Sequence, residues 1–171
     1  MERQKWFDKS FQFELSQDKY DSILKKLKEN PERISKLVSE LPEKVLTAKI
    51  DNRWSIKENV GHLIDLEELH DGRIDDFIAD TEYLRPADLN NKKTDEAKHN
   101  EKTIEELLDQ LKLVRENFVK RMQSLNSKIL LSSSKHPRLN QPMRPIDMAQ
   151  FVLEHDEHHL ETIQELINKH Q

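Results

Sequence analysis

The sequence contains no cysteine, and this absence limits the chemistry that the chain can perform. Without thiols there is no disulfide bond, no cysteine nucleophile and no sulfur-ligated metal centre. Any metal site must therefore use imidazole nitrogens and carboxylate oxygens, which suit hard or borderline cations.

Glycine is almost as scarce, since the 171 residues include only Gly61 and Gly72. A sheet protein of this length needs many turns with positive φ, which glycine usually supplies, so the shortage indicates few connections and long elements. Apolar residues make up 35% of the chain and charged residues 36%, a balance typical of amphipathic helices that bury a narrow stripe. We therefore expect an all-α protein.

Long apolar runs and an excess of positive charge are also missing. No run approaches the roughly 20 apolar residues that cross a bilayer, and the N-terminal segment is too charged for a signal peptide. The formal net charge is −5, with lysines interspersed among acidic residues, so no basic face is available for nucleic acid. We expect a soluble, cytoplasmic protein with neither membrane nor nucleic-acid partners.

Apolar residues recur at helical spacing in four segments. The predicted helices cover residues 17–41, from Ser55 to about Asp80, from Thr103 to about Leu125, and from Pro145 nearly to Gln171. Ser55 with Glu58 forms a capping box at the start of the second helix, and Thr103 with Glu106 forms another at the start of the third. Within the first helix, Asn30–Pro31 resembles an N-cap followed by proline, which predicts a break or kink.

The connection over residues 81–100 is polar and long for an antiparallel hairpin, so a crossover between the second and third helices is expected.

The first dozen residues contain aromatic side chains without helical spacing, which we expect to pack across the bundle as an extended arm: Trp6, Phe7, Phe11 and Phe13. The sequence has no internal repeat or linker. Residues 1–171 are therefore predicted to form a single domain in which four helices share one core.

Two histidines lie on the apolar stripe of the fourth helix. His155 and His159 are four residues apart, which places them one turn apart on one face, while His158 lies toward the edge. This spacing allows one helix to offer two imidazoles to one metal ion. Two buried imidazoles can also be satisfied by hydrogen bonds alone, so the pair by itself leaves both interpretations open.

A further ligand must come from another helix. His62 lies two turns into the second helix beside Leu63, and a single histidine among leucines is more often structural than a ligand. His70 lies on the same stripe and is the alternative. The remaining histidines fall in predicted loops or at the terminus and are expected to be ordinary surface residues: His99, His136 and His170.

Two motifs together resemble a known family. The segment W-S-I-K-E-N-V-G-H-L, which begins at Trp54 and is followed by Asp65, and the H-D-E-H-H motif from His155 to His159 are similar to the DinB-like, or YfiT-like, superfamily of bacterial metalloproteins. The likeness covers most of the chain, with both motifs in the right order and separation. It implies a four-helix bundle with an up-down-down-up course, in which the long connection is the crossover.

The resemblance also implies a metal site. Carried over to this sequence, the ligands of a divalent ion, zinc or nickel, are His62, His155 and His159, with His158 as a neighbour that does not bind the ion. The assignment of His62 as a metal ligand therefore depends on the family resemblance, because its own sequence context does not indicate a ligand.

A function follows from the same resemblance. Three imidazoles leave at least one coordination position open for water or a thiol. Members of the superfamily include transferases that use bacillithiol or mycothiol, and metal-dependent hydrolases. We therefore expect an enzyme acting on a small molecule, either a thiol S-transferase with a low-molecular-weight thiol partner or a hydrolase. A second copy of the chain, in a homodimer, is a candidate partner. The alternative is a noncatalytic, metal-stabilised helical module for binding or stress response.

No catalytic base is assigned from the sequence. Glu58 is used by the capping box, whereas Asp65 would either orient a histidine or face solvent. Asp156 follows His155 where a zincin has its glutamate, but its side chain is shorter. A di-iron site is disfavoured because the third helix presents an apolar stripe without carboxylates.

Overall fold

The computed structural model describes residues 4–170, and its architecture is helical. The four long helices are α1 (Tyr20–Val38), α3 (Ile56–Ile78), α5 (Ile104–Gln123) and α7 (Pro145–Asn168). The connections contain the short helices α2 (Glu43–Leu46), α4 (Lys92–Glu96) and α6 (Ser127–Leu131), and 3₁₀ turns at Trp6–Asp8, Gln17–Lys19 and His99–Glu101. A small antiparallel hairpin pairs β1 (Ser134–Lys135) with β2 (Pro142–Met143). The all-α prediction is confirmed. Residues 1–3, which belong to the predicted arm, and Gln171, near which the fourth helix is predicted to end, lie outside the described residues.

Side-chain contacts define the direction of α1 relative to its neighbours, α5 and α7. The hydroxyl of Tyr20 donates to the carbonyl of Met122 at 2.9 Å, joining the start of α1 to the end of α5. Arg144, just before α7, donates to the carbonyl of Leu15, which precedes α1, at 2.8 Å. Therefore α1 is antiparallel to α5 and parallel to α7.

The two middle helices run in the same direction. Arg115 pairs with Glu67 at 2.8 Å, and Arg121, further along α5, pairs with Asp71, further along α3, at 2.7 Å. Parallel neighbours cannot be joined by a tight turn, so the long connection with α4 must return the chain to the opposite end. The up-down-down-up course and the crossover are confirmed.

The capping boxes predicted for the second and third helices are present. Ser55 accepts a hydrogen bond from the backbone of Glu58, and the Glu58 carboxylate accepts from the backbone of Ser55 in return. Thr103 and Glu106 form the same reciprocal pair at the start of α5. These local signals place the starts of α3 and α5 where the sequence predicts them.

Helix α1 continues through Pro31, so of the predicted break or kink the break is wrong. A proline inside a helix removes one N–H group and leaves the carbonyl four residues earlier, that of Leu27, without its donor. Arg115 of the neighbouring α5 supplies a replacement through a hydrogen bond of 3.2 Å to that carbonyl. Asn30 does not cap a helix, because its side chain donates to Asp156 at 2.8 Å.

Two apolar clusters fill the bundle, and a polar layer lies between them. Its centre is Arg115, which is 1% exposed and pairs with Glu67 on α3 and with Asp156 on α7. The prediction that α5 presents an apolar stripe throughout is therefore wrong at this residue. Both carboxylates are bound by a guanidinium, which leaves them unsuited to a di-iron site.

The N-terminal arm packs on the bundle through its aromatic side chains, as expected. The ring of Trp6 lies 5.2 Å from the rings of Phe11 and Phe151 and 4.9 Å from that of His155, all between centroids. Phe7 is exposed at the surface.

Among residues 4–170, no helix combines the length and apolar character needed to span a bilayer.

Candidate metal centre

Three histidines from two helices meet inside the bundle. His62 on α3 lies opposite His155 and His159 on α7, and all three side chains are buried. The ring centroids are separated by 4.6 Å for the α7 pair, and by 5.4 Å and 4.9 Å from His62 to His155 and His159. One nitrogen of each ring lies within 4.8 Å of the other two. The structure thus brings together the three residues that the sequence singled out.

A hydrogen bond from His159 to Asn59 orients the His159 ring. Asn59 lies one turn before His62 on α3, and its Oδ1 is 2.8 Å from Nδ1 of His159. The Nδ2 of Asn59 donates to the backbone carbonyls of Trp54 and Ser55, so Oδ1 must be the atom that faces the imidazole. His159 therefore donates through Nδ1, and Nε2 is the nitrogen that remains to bind an ion.

His62 is oriented by a chain of hydrogen bonds that ends at a carboxylate. The hydroxyl of Thr94 donates to Asp65 at 2.9 Å, and its oxygen lies 3.1 Å from Nδ1 of His62. Since the hydroxyl proton goes to the carboxylate, the oxygen accepts from His62 Nδ1–H, and Nε2 keeps a lone pair. His99 also donates to Asp65, at 2.8 Å. Burial opposes ionisation of Asp65, but the bonds from His99 and Thr94 outweigh it and lower its pKa.

His155 has a different environment. Its Nε2 lies 3.3 Å from Nε2 of His159, and its buried Nδ1 has no hydrogen-bond partner among residues 4–170. If His159 Nε2 carries a lone pair, His155 must either donate to it or share a cation with it. The separation matches the edge of a tetrahedral metal site, about 3.3 Å for zinc–nitrogen bonds of about 2.05 Å.

Burial keeps His62 and His155 in the neutral form that a metal requires. Desolvation lowers the pKa of His62 to about 4, against a smaller opposing effect of Asp65. Desolvation, followed by the proximity of His159, lowers the pKa of His155 well below its ordinary value. At neutral pH these rings are uncharged and can act as nitrogen ligands without first releasing a proton.

The three histidines lie in the wall of a cavity of about 380 Å³. Its lining is largely apolar, with Leu66 and Leu69 from α3 and Phe151 from α7. Trp54 packs against His62 with ring centroids 4.6 Å apart, and Trp6 covers His155. A small molecule in this cavity would therefore lie beside the imidazoles in a partly dehydrated environment.

Comparison with known proteins agrees with this arrangement. Residues 26–163 match the family model of the DinB superfamily. The chain belongs to the DinB superfamily. Among solved structures it is similar to YfiT from Bacillus subtilis, with a TM-score of 0.80 and 20% sequence identity over 94% of this chain and 93% of that chain. YfiT is described as a probable metal-dependent hydrolase with an unusual four-helix bundle topology. No curated protein matches the sequence.

Within this DinB-superfamily bundle, His70 is separate from the group of three. Its Nδ1 lies 3.4 Å from the Glu67 carboxylate, and its ring packs near Phe118 at 6.1 Å. His158 is half-buried beside Trp6, with ring centroids 5.7 Å apart. The grouping favours His62 over His70 as the histidine opposite the α7 pair.

The expectation that His99 and His136 are surface residues is wrong, because both are buried. His99 packs so closely on α3 that a Cβ atom at Gly61 would lie 2.2 Å from its ring, which explains glycine at that position. His136 accepts backbone hydrogen bonds from Arg138 and Leu139 and so closes the turn after β1. No sequence signal revealed these roles, since both depend on the path of a connection. His170 is exposed, as expected.

The carboxylates considered as bases are engaged elsewhere. Glu58 is held by its capping box and by Lys49 at 2.7 Å. Asp156 bonds to Arg115 in the polar layer, so the comparison with the glutamate of a zincin does not apply. Of the two roles considered for Asp65, the structure favours orientation of a histidine, through Thr94.

Proposed function

We propose that this protein is a divalent-metal-dependent enzyme that acts on a small molecule, with the ion held by His62, His155 and His159. One observation carries the proposal: three buried imidazoles converge in the wall of a cavity large enough for a small molecule. Zinc or nickel is the ion that best suits nitrogen ligands without sulfur. When bound, such an ion supplies Lewis acidity and an open position at which water or a thiol ionises near neutral pH.

The residues around the histidines support such a site in three ways. Asn59 and Thr94 accept hydrogen bonds from the Nδ1 atoms of His159 and His62, which leaves Nε2 of each ring as the nitrogen that can bind an ion. Asp65 makes the Thr94 oxygen a better acceptor and thereby increases the basicity of His62. The tryptophans at positions 6 and 54 shield the rings from water, which strengthens electrostatic interactions with a bound substrate.

Hydrolysis of a small molecule is the reaction that we place first, because the structurally similar YfiT is described as a probable metal-dependent hydrolase. Thiol S-transfer is the second candidate. It is favoured by the lack of a free carboxylate base beside the histidines within residues 4–170, since a thiol near its pKa needs less assistance than water. In that reaction the second substrate, an electrophile with an apolar body, would lie against the apolar lining of the cavity.

Metal analysis of the purified protein tests the site. We expect about one zinc or nickel ion per chain, and a large loss of metal in His62→Ala, His155→Ala and His159→Ala. His170→Ala is the matched control, because His170 is exposed and does not line the cavity. Circular dichroism checks that each variant is folded. Unchanged metal content in all three variants would refute the site.

Turnover separates the two reactions from the noncatalytic alternative. The metal-loaded protein is assayed with small esters and amides, and with bacillithiol or mycothiol plus an electrophile. Thermal unfolding with and without metal adds an independent measurement. A strong rise in melting temperature without turnover of any substrate would favour the metal-stabilised module over the enzyme.

A further inference from the structure

A buried arginine faces the same cavity from α3. Arg73 is 2% exposed, yet it lines the cavity wall. Its Nε donates to the backbone carbonyl of Arg85 at 3.1 Å, and its remaining N–H groups have no hydrogen-bond or ion-pair partner among residues 4–170. Burial lowers the pKa of Arg73 to about 10, against the opposing charge of Asp76. A buried cation without a directly bound anion is costly, so a bound anion would be strongly favoured here.

A second arginine of the cavity wall is unpaired as well. The guanidinium of Arg138 lies 5.2 Å from the ring centroid of Phe7 and forms no ion pair within the described part of the chain. Every other arginine between residues 4 and 170 pairs with a carboxylate: Arg33, Arg53, Arg85, Arg115, Arg121 and Arg144. The protein has a net charge of −5, so carboxylates are in excess, yet these two arginines of one cavity have no ion pair within the described residues. A bound anion would supply the missing partner.

The surrounding acidic groups do not neutralise this pair. Asp76 is bound by Arg85 through two side-chain nitrogens and the backbone N–H. Asp88 also lines the cavity, but its two oxygens accept backbone N–H groups of Asn90 and Lys92. This wall of the cavity therefore keeps a local excess of positive charge.

The arginine wall and the histidine wall belong to one cavity. Arg73 lies eleven residues after His62 on α3, about 16 Å along the helix axis. Across the cavity, Phe151 contacts Trp6, which in turn contacts His155. A ligand with an apolar body could therefore place one end near the arginines and the other near the histidines.

We propose that Arg73 and Arg138 bind an anionic group, a carboxylate or phosphate, of a substrate whose reactive group lies at the three-histidine end of the cavity. The proposal rests on the proposed function and adds a substrate class to it. Guanidinium groups suit this role because they donate paired hydrogen bonds to carboxylate and phosphate oxygens and stay charged at any physiological pH.

Binding of matched acidic and neutral probes tests the proposal. Hexanoate, hexyl phosphate and neutral hexanamide are titrated by calorimetry into the protein at pH 7, as purified and after removal of metal. We expect at least one of the two anions to bind about tenfold more tightly than the amide. Added salt should weaken this preference and leave amide binding unchanged. The tighter anion identifies the class of group that the substrate carries.

Substitution of each arginine tests whether Arg73 and Arg138 cause the preference for the anionic probe over hexanamide. Arg73→Gln and Arg138→Gln should each reduce it severalfold without loss of metal, and Arg33→Gln is the control because Arg33 pairs with Glu157 outside the cavity. Arg138 is partly exposed, so its variant remains informative if Arg73→Gln does not fold. His155→Ala should lose metal and keep the anion preference.

Three results would overturn the proposal. These are equal binding of acid and amide by the unmodified protein, an undiminished preference in both arginine variants, or a preference that disappears only when metal is removed. Failure of the metal site itself would appear separately, as unchanged metal content in the histidine variants.

Discussion

Replacement of Arg115 by methionine tests the polar layer at the centre of the bundle. The guanidinium pairs with Glu67 at 2.8 Å and Asp156 at 2.5 Å and donates to the carbonyl of Leu27 at 3.2 Å. Methionine fills much of the volume but leaves two buried carboxylates without a counterion. We expect Arg115→Met to lower the free energy of unfolding at pH 7 by about 3–5 kcal/mol. That corresponds to a melting temperature lower by roughly 10 °C for a chain of this size.

The pH dependence of the stability loss distinguishes the effect of unpaired buried carboxylates from a loss of packing. In the unmodified protein burial raises the pKa of Glu67, but the charge of Arg115 and the bonds from His70 and Arg115 outweigh it and lower the pKa to about 2. Without the guanidinium only His70 opposes the effect of burial, and we expect the pKa of Glu67 to rise above its ordinary value. The folded variant then binds a proton before the unfolded chain does, so its stability recovers as pH falls from 7 toward 5.

Urea unfolding of both proteins at several pH values between 7 and 5 measures the effect. The difference in unfolding free energy should be largest at pH 7 and shrink on acidification, while changes common to both proteins cancel. Arg121→Met on the same helix is the control, because its partners Asp71 and Asp75 are partly exposed and its loss should cost at most about 1 kcal/mol. A difference below about 1 kcal/mol at pH 7, or one independent of pH, would refute the reasoning.

Three further predictions concern the histidine site and its support. Asn59→Leu removes the acceptor for His159 and should weaken zinc binding about 10- to 100-fold in a chelator competition, with little change in fold. Gly61→Ala places a Cβ atom against the His99 ring and should cost about 1–3 kcal/mol in urea unfolding; an unchanged midpoint would contradict the packing. In metal-free protein, the pKa of His62 is about 4 when folded and near 6.5 when unfolded. The unfolded chain therefore binds the proton first, and stability should fall by about 3 kcal/mol as pH drops from 7 to 4. The His62→Gln variant should lack this part of the decline.

The sequence by itself determined the helices. Capping boxes such as Ser55 with Glu58, apolar spacing of 3.6 residues and scarce glycine are local signals, and they act before any long-range contact forms. They predicted the starts of α3, α5 and α7 and the long connection that becomes the crossover. The spacing of His155 and His159 was informative for the same reason, because both residues lie on one helix.

Only the tertiary structure decided which residues from different helices meet. The choice of His62 over His70 depends on how α3 and α7 are aligned, which family resemblance suggested and helical spacing alone did not. Pro31 carries a local signal for a helix break, yet Arg115 from another helix donates to the carbonyl that the proline leaves free. The free energy of such contacts depends on the packing of the whole bundle, so no local pattern predicts them.

The partners that orient the histidines, and the unpaired arginines of the cavity, also arise from tertiary structure. Thr94 reaches His62 because the crossover folds back over α3, and Arg138 reaches the cavity because the small hairpin turns toward Phe7. In the sequence, Arg73 does not differ from the arginines that pair with carboxylates. The helices were determined by local propensity and periodicity, whereas the chemistry of the cavity was decided by which charges the fold pairs and which it leaves without a partner.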